Sequence, residues 1–406
     1  MRQAFGTSLW NTNMIEMTKY YDEYLRYYEM ALDQQIKCNT ATEAPFGMIE
    51  HADSGMNDDL MEKVTLYDVV ERKLAGFSQI VNDCFYGWTP DHPYWPKMQA
   101  GKHTYQREVV AKAWTGKHSD FSLPEWLYIF ILHRVCGSAI NYATQPSGYH
   151  NTILFNLHQS RTIEEMAEMV TTYPFPFYTS VGYQFPAFPK PPAGSRYKRG
   201  GDYFLAEFAP RLARELAEWL CMTGEKKDLR EIGEWMFEWN RKNGLRVYQF
   251  QYAAVLADIA DWYPQYVNLD SMFYYGTNAR ECISYLAVPT QKMSQDQFLD
   301  KVMERIYLDT KSVPYNAEDV CCDFIRWVEN YIRPGAHYDS LDFDSVFSSC
   351  KIKDHPFGRQ KAMLDLGIVK TFNGMKAHPS DDKIIKEAGL TIEEYKKLVG
   401  AHYASQ

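Results

Sequence analysis

Apolar residues recur at three- and four-residue spacing over most of this chain, and that period constrains the fold more than any other feature. The segment 14–36 is the longest example and is typical of an amphipathic helix. Capping-box spacing, with Ser or Thr followed three residues later by Glu or Gln, marks further helix starts at Ser122, Thr162, Ser294 and Thr391. Strand-like alternation is rare. The sequence therefore predicts a mainly α protein with a multi-helix globular core.

The composition is that of a folded protein without a disulfide framework. The 406 residues include 43 Lys and Arg against 52 Asp and Glu, a net charge of −9. The eight Cys are scattered without CxxC pairs, which is typical of reduced thiols in a cytoplasmic protein. The N-terminal segment lacks the apolar stretch of a secretory signal, and the longest apolar run, Trp126–Leu132, is too short to span a bilayer. These features predict a cytoplasmic protein with no membrane association.

Charge is distributed unevenly along the chain. Residues 40–70 have a net charge of −6, whereas residues 190–214 have a net charge of +4. The overall acidity argues against a broad electrostatic coat on nucleic acid, but the basic segment would allow local capture of a strand.

We predict an N-terminal helical region over 1–118, a helical catalytic core over 119–340 and a C-terminal extension over 341–406.

Polar residues cluster around the end of the apolar helix near residue 136. His133 and Arg134 open this cluster. The stretch that follows carries Ser138, Asn141, Tyr142, His150 and Asn151. An Arg could bind phosphate here while a His moves protons. A helix C-terminus capped by cationic side chains and followed by a polar loop explains the same residues, and both interpretations stay open. Zinc is disfavoured because the His and Cys spacing fits no common pattern.

A short basic and aromatic segment occupies residues 196–203. Lys198 and Arg199 could neutralise phosphate, and Tyr197 and Tyr203 could stack on bases. An ordinary solvated surface segment is the alternative. The nucleotide-binding patterns GxxxxGK[ST] and GxGxxG are both absent from the sequence, so no triphosphate cradle is expected.

Two further segments carry the remaining candidates. Gln251 and Asp258 are seven residues apart, so in a helix they would share nearly the same face. A loop at Gly276 then leads through Asn278 into a helix at Arg280, and the N-terminus of such a helix is a natural anion site. A structural turn between two core helices is the alternative.

In their order along the chain, these segments resemble a phage family of DNA-hypermodifying proteins. The family comprises the helical domain of 5-hydroxymethyluracil DNA kinases and the amino acid:DNA transferases, also called alpha-glutamyl/putrescinyl thymine pyrophosphorylases. Its "Gln … Asp-aliphatic … Tyr-Pro" helix is matched by Gln251, Asp258-Ile259 and Tyr263-Pro264. Its "Gly-Pro-Gly-Ala" loop is matched in part by Gly276-Thr277-Asn278-Ala279. Its "Cys-Glu-x-x-Lys-Tyr" helix is matched loosely by Cys322-Asp323 and Tyr331.

The departures from these motifs matter. Asn278 stands where the family has a glycine, and because Asn tolerates left-handed backbone, we expect the loop shape to be kept. The patterns His-Arg-x-x-Gly-Ser at 133–138 and Gly-Tyr-His-Asn at 148–151 are more similar to the transferase branch. The resemblance spans roughly residues 120–335. It implies a helical core similar to DNA glycosylases, and a viral protein acting in the host cytoplasm.

The resemblance implies a reaction on a modified thymine in double-stranded DNA. A pyrophosphate on the thymine 5-methyl carbon would be replaced by the amine of an amino acid or polyamine. Flipping the base would surround the reacting carbon with protein and exclude water, the competing nucleophile. The amine must lose a proton, and His133, His150 or Asp258 would accept it.

The other candidates would bind the substrate. Cationic side chains would stabilise the departing pyrophosphate, namely Arg134, Lys198, Arg199 and Arg280, with Mg²⁺ as a further candidate. Polar contacts would come from Ser138, Asn141, Asn151, Gln251 and Asn278. The flipped base would stack on Tyr142, Tyr197 and Tyr203.

Three alternatives stay open on sequence alone. One is a noncatalytic helical DNA-binding subunit of the same modification system, because no single motif is diagnostic of catalysis. The second is a relative of the 5-hydroxymethyluracil DNA kinases, although the P-loop is missing. The third is an acidic helical interaction protein with no DNA affinity.

Overall fold

A computed structural model describes residues 14–40, 70–74, 76–87, 111–136, 156–172, 188–222 and 224–326. Of this part of the chain 71% is helical and few residues are in strands, which confirms the predicted mainly α fold class. The predictions for His150, Ser138, Asn141, Tyr142 and Asn151 lie outside the described residues. So do Thr391 and Tyr331.

The described elements follow one another in this order. They are β1 (Ile15–Met17), α1 (Lys19–Thr40), a 3-10 turn (Arg72–Leu74), α2 (Gly76–Tyr86), α3 (Lys117–Asp120), α4 (Leu123–Cys136), a 3-10 turn (Leu157–Gln159) and α5 (Ile163–Thr172). There follow α6 (Gly200–Tyr203), a π-helical stretch (Phe204–Phe208), α7 (Ala209–Met222), β2 (Lys227–Asp228), α8 (Leu229–Lys242), α9 (Gln249–Trp262), a 3-10 turn (Pro264–Tyr266) and β3 (Val267–Asn268). The last described elements are α10 (Thr277–Leu286), β4 (Ala287–Pro289), α11 (Gln295–Thr310) and α12 (Pro314–Arg326).

The larger hydrophobic core surrounds α4 and α9. All seven residues of Trp126–Leu132 in α4 are 0% exposed, and α9 is buried along nearly its whole length. A helix that is apolar all round is stable only inside a protein, so these two helices form the centre and α2, α5, α7 and α8 pack outside them. The polar side chains of His133 and Arg134 on α4 and of Gln251 and Asp258 on α9 are therefore held away from water.

A smaller core joins the N-terminal segment to the later helices. In it, Tyr24 and Tyr27 of α1 pack against Phe324 of α12, with ring centroids 5.8 and 5.2 Å apart. Strand β1 pairs antiparallel with β4, and Ile15 lies opposite Pro289. The side chains described between residues 15 and 32 thus pack against those of 272–324 in one shared core. The predicted division at residue 118 stays a prediction.

Three of the predicted capping boxes lie at described helix starts, and the structure shows both reciprocal hydrogen bonds at one of them. Ser294 forms the full capping box with Gln297 at the start of α11, as predicted. At α5 the Thr162 hydroxyl accepts the Glu165 N–H (3.2 Å), but the Glu165 carboxylate accepts from the Arg161 N–H instead of from Thr162. Near the start of α4, the Glu125 carboxylate accepts from the N–H of Ser122 (3.0 Å).

Candidate functional site

Arg134 and Asp258 form a bidentate salt bridge inside the larger core. The guanidinium donates from Nε to Oδ2 (2.8 Å) and from Nη2 to Oδ1 (2.5 Å) of Asp258. Its Nη2 also donates to the Ser78 hydroxyl of α2 (2.8 Å). The Arg134 and Asp258 side chains are 3% and 0% exposed. Two candidates chosen from distant segments therefore meet, and one ion pair connects α4 with α9.

The charge of Arg134 determines the ionisation of Asp258. Burial by itself raises the pKa of this carboxyl, but the charge and hydrogen bonds of Arg134 outweigh burial and His133 adds to them, so the pKa lies below its ordinary value. Asp258 therefore remains a carboxylate at neutral pH. This ionisation favours a role in orienting its neighbours over the role of proton acceptor predicted for it.

His133 lies beside the same carboxylate. Its Nδ1 is 3.9 Å from Oδ2 of Asp258, and its side chain is 2% exposed. Imidazole is the side chain that exchanges a proton most readily near neutral pH, and an adjacent carboxylate orients it. Of the predicted proton acceptors among the described residues, His133 has the more suitable chemistry.

A second buried carboxyl, which the sequence analysis missed, lies one turn further along α9. Asp261 accepts a hydrogen bond at Oδ1 from the Tyr315 hydroxyl of α12 (2.8 Å). Its Oδ2 is shielded from solvent, although the residue as a whole is partly exposed. Burial raises its pKa to about 7, and the nearby charge of Asp258 adds to the effect. Its three-residue spacing from Asp258 on a helix was the available signal.

The N-terminus of α10 is occupied by a carboxyl group of the protein itself. The N–H of Gly276, which caps α10, donates to Oε1 of Glu318 in α12 (2.9 Å). Burial raises the pKa of Glu318 to about 7. The negative charge of Asp319 also raises this pKa, and the positive charge of Arg72 lowers it. An internal carboxyl therefore occupies the helix start that the sequence analysis offered as an anion site.

Asn278 lies within the first turn of α10, not in a left-handed loop. Gly276 itself is extended (φ −67°, ψ 170°), and among the described non-glycine residues a positive φ occurs at Lys311. The expectation of a left-handed residue at Asn278 is wrong, because helix α10 begins one residue earlier, at Thr277. The Asn278 amide instead donates to Sγ of Cys322 in α12 (3.7 Å).

Arg280, one turn into α10, contacts its own loop and the next helix. Its Nε donates to the carbonyl of Tyr275 (3.0 Å), and its Nη2 lies 3.6 Å from Asp296. Its side chain is about one-third exposed (36%) and so remains accessible to a ligand.

The arginines of the basic segment at 190–214 pair with neighbouring carboxylates. Arg199 forms a two-pronged pair with Asp202 (2.6 and 2.9 Å). Two further arginines reach across to α5, namely Arg196 to Glu168 (3.0 Å) and Arg214 to Glu164. Lys198 is exposed and forms no ion pair with another described residue. Asp202 is already counted in the net charge of +4, so Glu168 and Glu164 offset two of the four positive charges that the sequence suggested.

The predicted stacking tyrosines of this segment contact each other. The Tyr197 and Tyr203 ring centroids are 6.0 Å apart, and Tyr197 is nearly buried. The adjoining Phe204 packs on Tyr248, one residue before α9. Tyr248 and Asp258 are ten residues apart on or beside α9, about 15 Å along the axis. The basic segment thus lies at the end of α9 opposite to the Arg134–Asp258 pair, and Gln251 lies buried between them.

Phe250 is an exposed aromatic that the sequence analysis missed. Its side chain is 45% exposed, in the first turn of α9. Its ring lies 3.7 Å from the position that a Cβ on Gly276 would occupy. An exposed ring beside a helix N-terminus suits contact with a nucleobase.

Several absences apply to the described part of the chain only. No group of three or more His, Cys, Asp or Glu there is arranged to hold a metal ion. No helix there combines the length and hydropathy that a membrane-spanning segment needs. The described cysteines, Cys84, Cys221, Cys282, Cys321 and Cys322, are free thiols.

Comparison with known proteins gives no match. The sequence matches no family model and no curated protein, and the fold matches no solved structure.

Proposed function

We propose that this protein is a transferase that acts on a modified thymine in DNA. It would replace the pyrophosphate of 5-pyrophosphorylmethyluracil with an amine from an amino acid or polyamine. One observation carries the proposal: the segments in which the sequence resembles that family are in contact with one another. Arg134 of α4 binds Asp258 of α9, and Asp261 of α9 binds Tyr315 of α12. The Gly276 loop binds Glu318 of α12.

In this proposal the acid–base chemistry belongs to His133. The incoming amine is protonated at neutral pH and must lose a proton before its nitrogen attacks the 5-methyl carbon. His133 accepts that proton, and Asp258 holds the imidazole while it carries the charge. Arg134 fixes Asp258 and does not bind substrate directly, because its Nε and Nη2 are already bonded inside the core.

The leaving pyrophosphate needs positive charge as its carbon–oxygen bond breaks. Arg280, the accessible arginine beside the start of α10, would supply this charge. Lys198 is exposed but belongs to the basic segment at the end of α9 opposite to His133, so it would contact the DNA strand instead. Phe250 provides an exposed ring for the flipped base. Because the arginines of the basic segment are largely paired with carboxylates, the protein would contact the DNA backbone over a short stretch only.

The test uses DNA that contains 5-pyrophosphorylmethyluracil and a panel of free amines. After incubation with the protein, the DNA is digested and its nucleosides are weighed by mass spectrometry. The proposal predicts a nucleoside that has lost pyrophosphate and gained the mass of one amine. If no amine in the panel adds to the nucleoside, the proposal is wrong.

A noncatalytic DNA-binding subunit is the second candidate, and the full burial of the Arg134–Asp258 pair favours it. Such a pair also occurs as a purely structural contact. This candidate predicts that His133→Gln leaves both DNA binding and modification by the assembled system intact. Loss of modification with DNA binding retained would reject it.

A further inference from the structure

Close contacts bring the basic segment against the chain that enters α9. The ring centroids of Phe188 and Tyr248 are 6.2 Å apart, and a Cβ on Gly200 would lie 3.0 Å from the Cβ of Phe188. The charge of Arg246 also acts on Tyr248, because it partly offsets the rise that burial causes in the pKa of the Tyr248 hydroxyl. The chain around Phe188, Gly200 and Tyr248 therefore meets at one place on the surface.

Three exposed cations surround this meeting point. They are Lys190, Lys198 and Arg246, which lie two residues along the chain from Phe188, Gly200 and Tyr248 respectively. Two residues span at most about 7 Å of backbone. Within the part of the chain that the structure describes, none of the three side chains forms an ion pair. We refer to these three residues as the cationic triplet.

The carboxylates of the basic segment do not neutralise the triplet. Asp202 pairs with Arg199 (2.6 Å), and Glu207 interacts with the Tyr197 hydroxyl. The sequence that precedes Phe188, residues 173–187, contains no Asp or Glu. The positive charge of the triplet is therefore open to a ligand from outside.

The end of α8 adds to this positive charge. Arg241 and Lys242 are exposed there and share one carboxylate, Glu238, at 3.4 and 4.0 Å. Arg246 follows Lys242 by four residues, after a turn at Gly244 (φ +68°). The cationic surface thus extends from the triplet onto the last turn of α8.

The phosphate backbone of a nucleic acid matches this surface best. Phe250, whose ring is 45% exposed, follows Arg246 by four residues. Cations without an internal partner attract phosphates, and an adjacent exposed ring can contact a base. The carboxylates of an acidic protein would satisfy the cations but would bring no base to the ring.

We propose that the cationic triplet is the surface that holds the DNA backbone, at the end of α9 opposite to Asp258. The proposal rests on the proposed function for the identity of the nucleic acid as DNA, but on no step of amine transfer. Strand binding and the acid–base chemistry of His133 are then carried by the two ends of one buried helix.

The experiment measures the affinity for an unmodified DNA duplex by fluorescence anisotropy, at NaCl concentrations from about 50 to about 200 mM. Each phosphate contact contributes about 0.9 to the slope of log affinity against log salt concentration. The triple variant Lys190→Gln, Lys198→Gln, Arg246→Gln should therefore lower the slope by about 2 to 3 and weaken binding at least about tenfold.

A matched control variant carries the same change in net charge elsewhere. Lys19→Gln, Lys226→Gln, Lys292→Gln removes three exposed lysines beside β1, β2 and β4, and should bind DNA as the unaltered protein does. Because the duplex is unmodified and no amine is present, failure of the proposed transferase reaction leaves this result unaffected. Amine transfer that survives in a protein whose triplet does not affect binding would strike the triplet alone.

Equal weakening in the two triple variants would overturn the proposal, because net charge alone would then explain it. An unchanged affinity in the triplet variant would also overturn it, as would tighter binding of an RNA duplex of the same sequence or no DNA binding at about 50 mM salt. If the triplet variant does not fold, lysine acetylation of the unaltered protein decides. DNA should slow the acetylation of Lys190 and Lys198 but not of Lys226 and Lys292, and equal rates at all four lysines contradict the proposal.

Discussion

Asp258 accepts two hydrogen bonds from Arg134, although 124 residues separate them along the chain and neither side chain reaches solvent. The two residues lie on the two most buried helices, so the pair can form only when α4 and α9 are packed together. The pair places His133 beside a fixed carboxylate. Both the packing of the core and the proposed chemistry depend on it.

We predict that Asp258→Asn destabilises the protein by about 3 kcal/mol or more, because it leaves the Arg134 charge buried without a partner. Urea unfolding at pH 7 measures this. Glu238→Gln is the matched control, since Glu238 pairs with Arg241 on the surface and should contribute less than about 1 kcal/mol. A loss below about 1 kcal/mol for Asp258→Asn would contradict the structural role of the pair.

The same pair gives an expected pH dependence. The pKa of Asp258 is below its ordinary value, so its contribution to stability is fully present above about pH 4 and is lost as the pH falls through the lower folded-state pKa. The free energy of unfolding should therefore fall less steeply between pH 5 and pH 2 in Asp258→Asn than in the unaltered protein. Parallel curves would show that Asp258 does not take up a proton on unfolding.

Two glycines with left-handed backbone provide a matched test of packing. Gly87 (φ +64°) and Gly116 (φ +84°) share the conformational penalty of an alanine substitution. A Cβ on Gly87 would lie 2.8 Å from the Cα of Thr115, whereas a Cβ on Gly116 would meet nothing within 4 Å. Gly87→Ala should cost about 1–3 kcal/mol more than Gly116→Ala in thermal unfolding. Equal losses of stability in the two variants would contradict the close approach of Thr115 to Gly87.

Phe250→Ala should weaken DNA binding without changing stability. The ring is 45% exposed and contributes little to the core, while loss of stacking on a base is worth about 1–3 kcal/mol, or about 5- to 150-fold in affinity. Fluorescence anisotropy with a duplex that contains the modified thymine measures it. Tyr86→Ala is the control, because Tyr86 is 39% exposed at the end of α2. An equal effect of both variants would remove Phe250 from the proposed site.

The helical architecture could be predicted from the sequence because periodicity and capping are local properties. The capping box at Ser294 is confirmed, and the unbroken apolar run Trp126–Leu132 became a fully buried helix. The partners of charged residues could not be predicted in the same way. Glu164 and Glu168, which are outside the +4 segment in the sequence and close to it in the fold, offset two of its four net positive charges.

The candidate site could be predicted only in part, because the partners of its charged residues are not visible in the sequence. His133, Arg134 and Asp258, which the sequence offered as separate candidates, lie side by side, but their roles depend on which donor satisfies which acceptor, and that is a tertiary property. Asp261 and Glu318 were missed because burial, which residue type does not reveal, is the main cause of their raised pKa values; for Asp261 the three-residue spacing from Asp258 was the available signal.

Whether His133 accepts the proton of the attacking amine is best measured by pyrophosphate release from modified DNA together with amine incorporation. We expect one pyrophosphate released per amine added, and a loss of about 10²- to 10⁴-fold in rate for His133→Gln at unchanged DNA affinity. His158→Gln, which changes a histidine on the Leu157–Gln159 turn, should retain the full rate. Equal rates for His133→Gln and His158→Gln would show that His133 is not the proton acceptor.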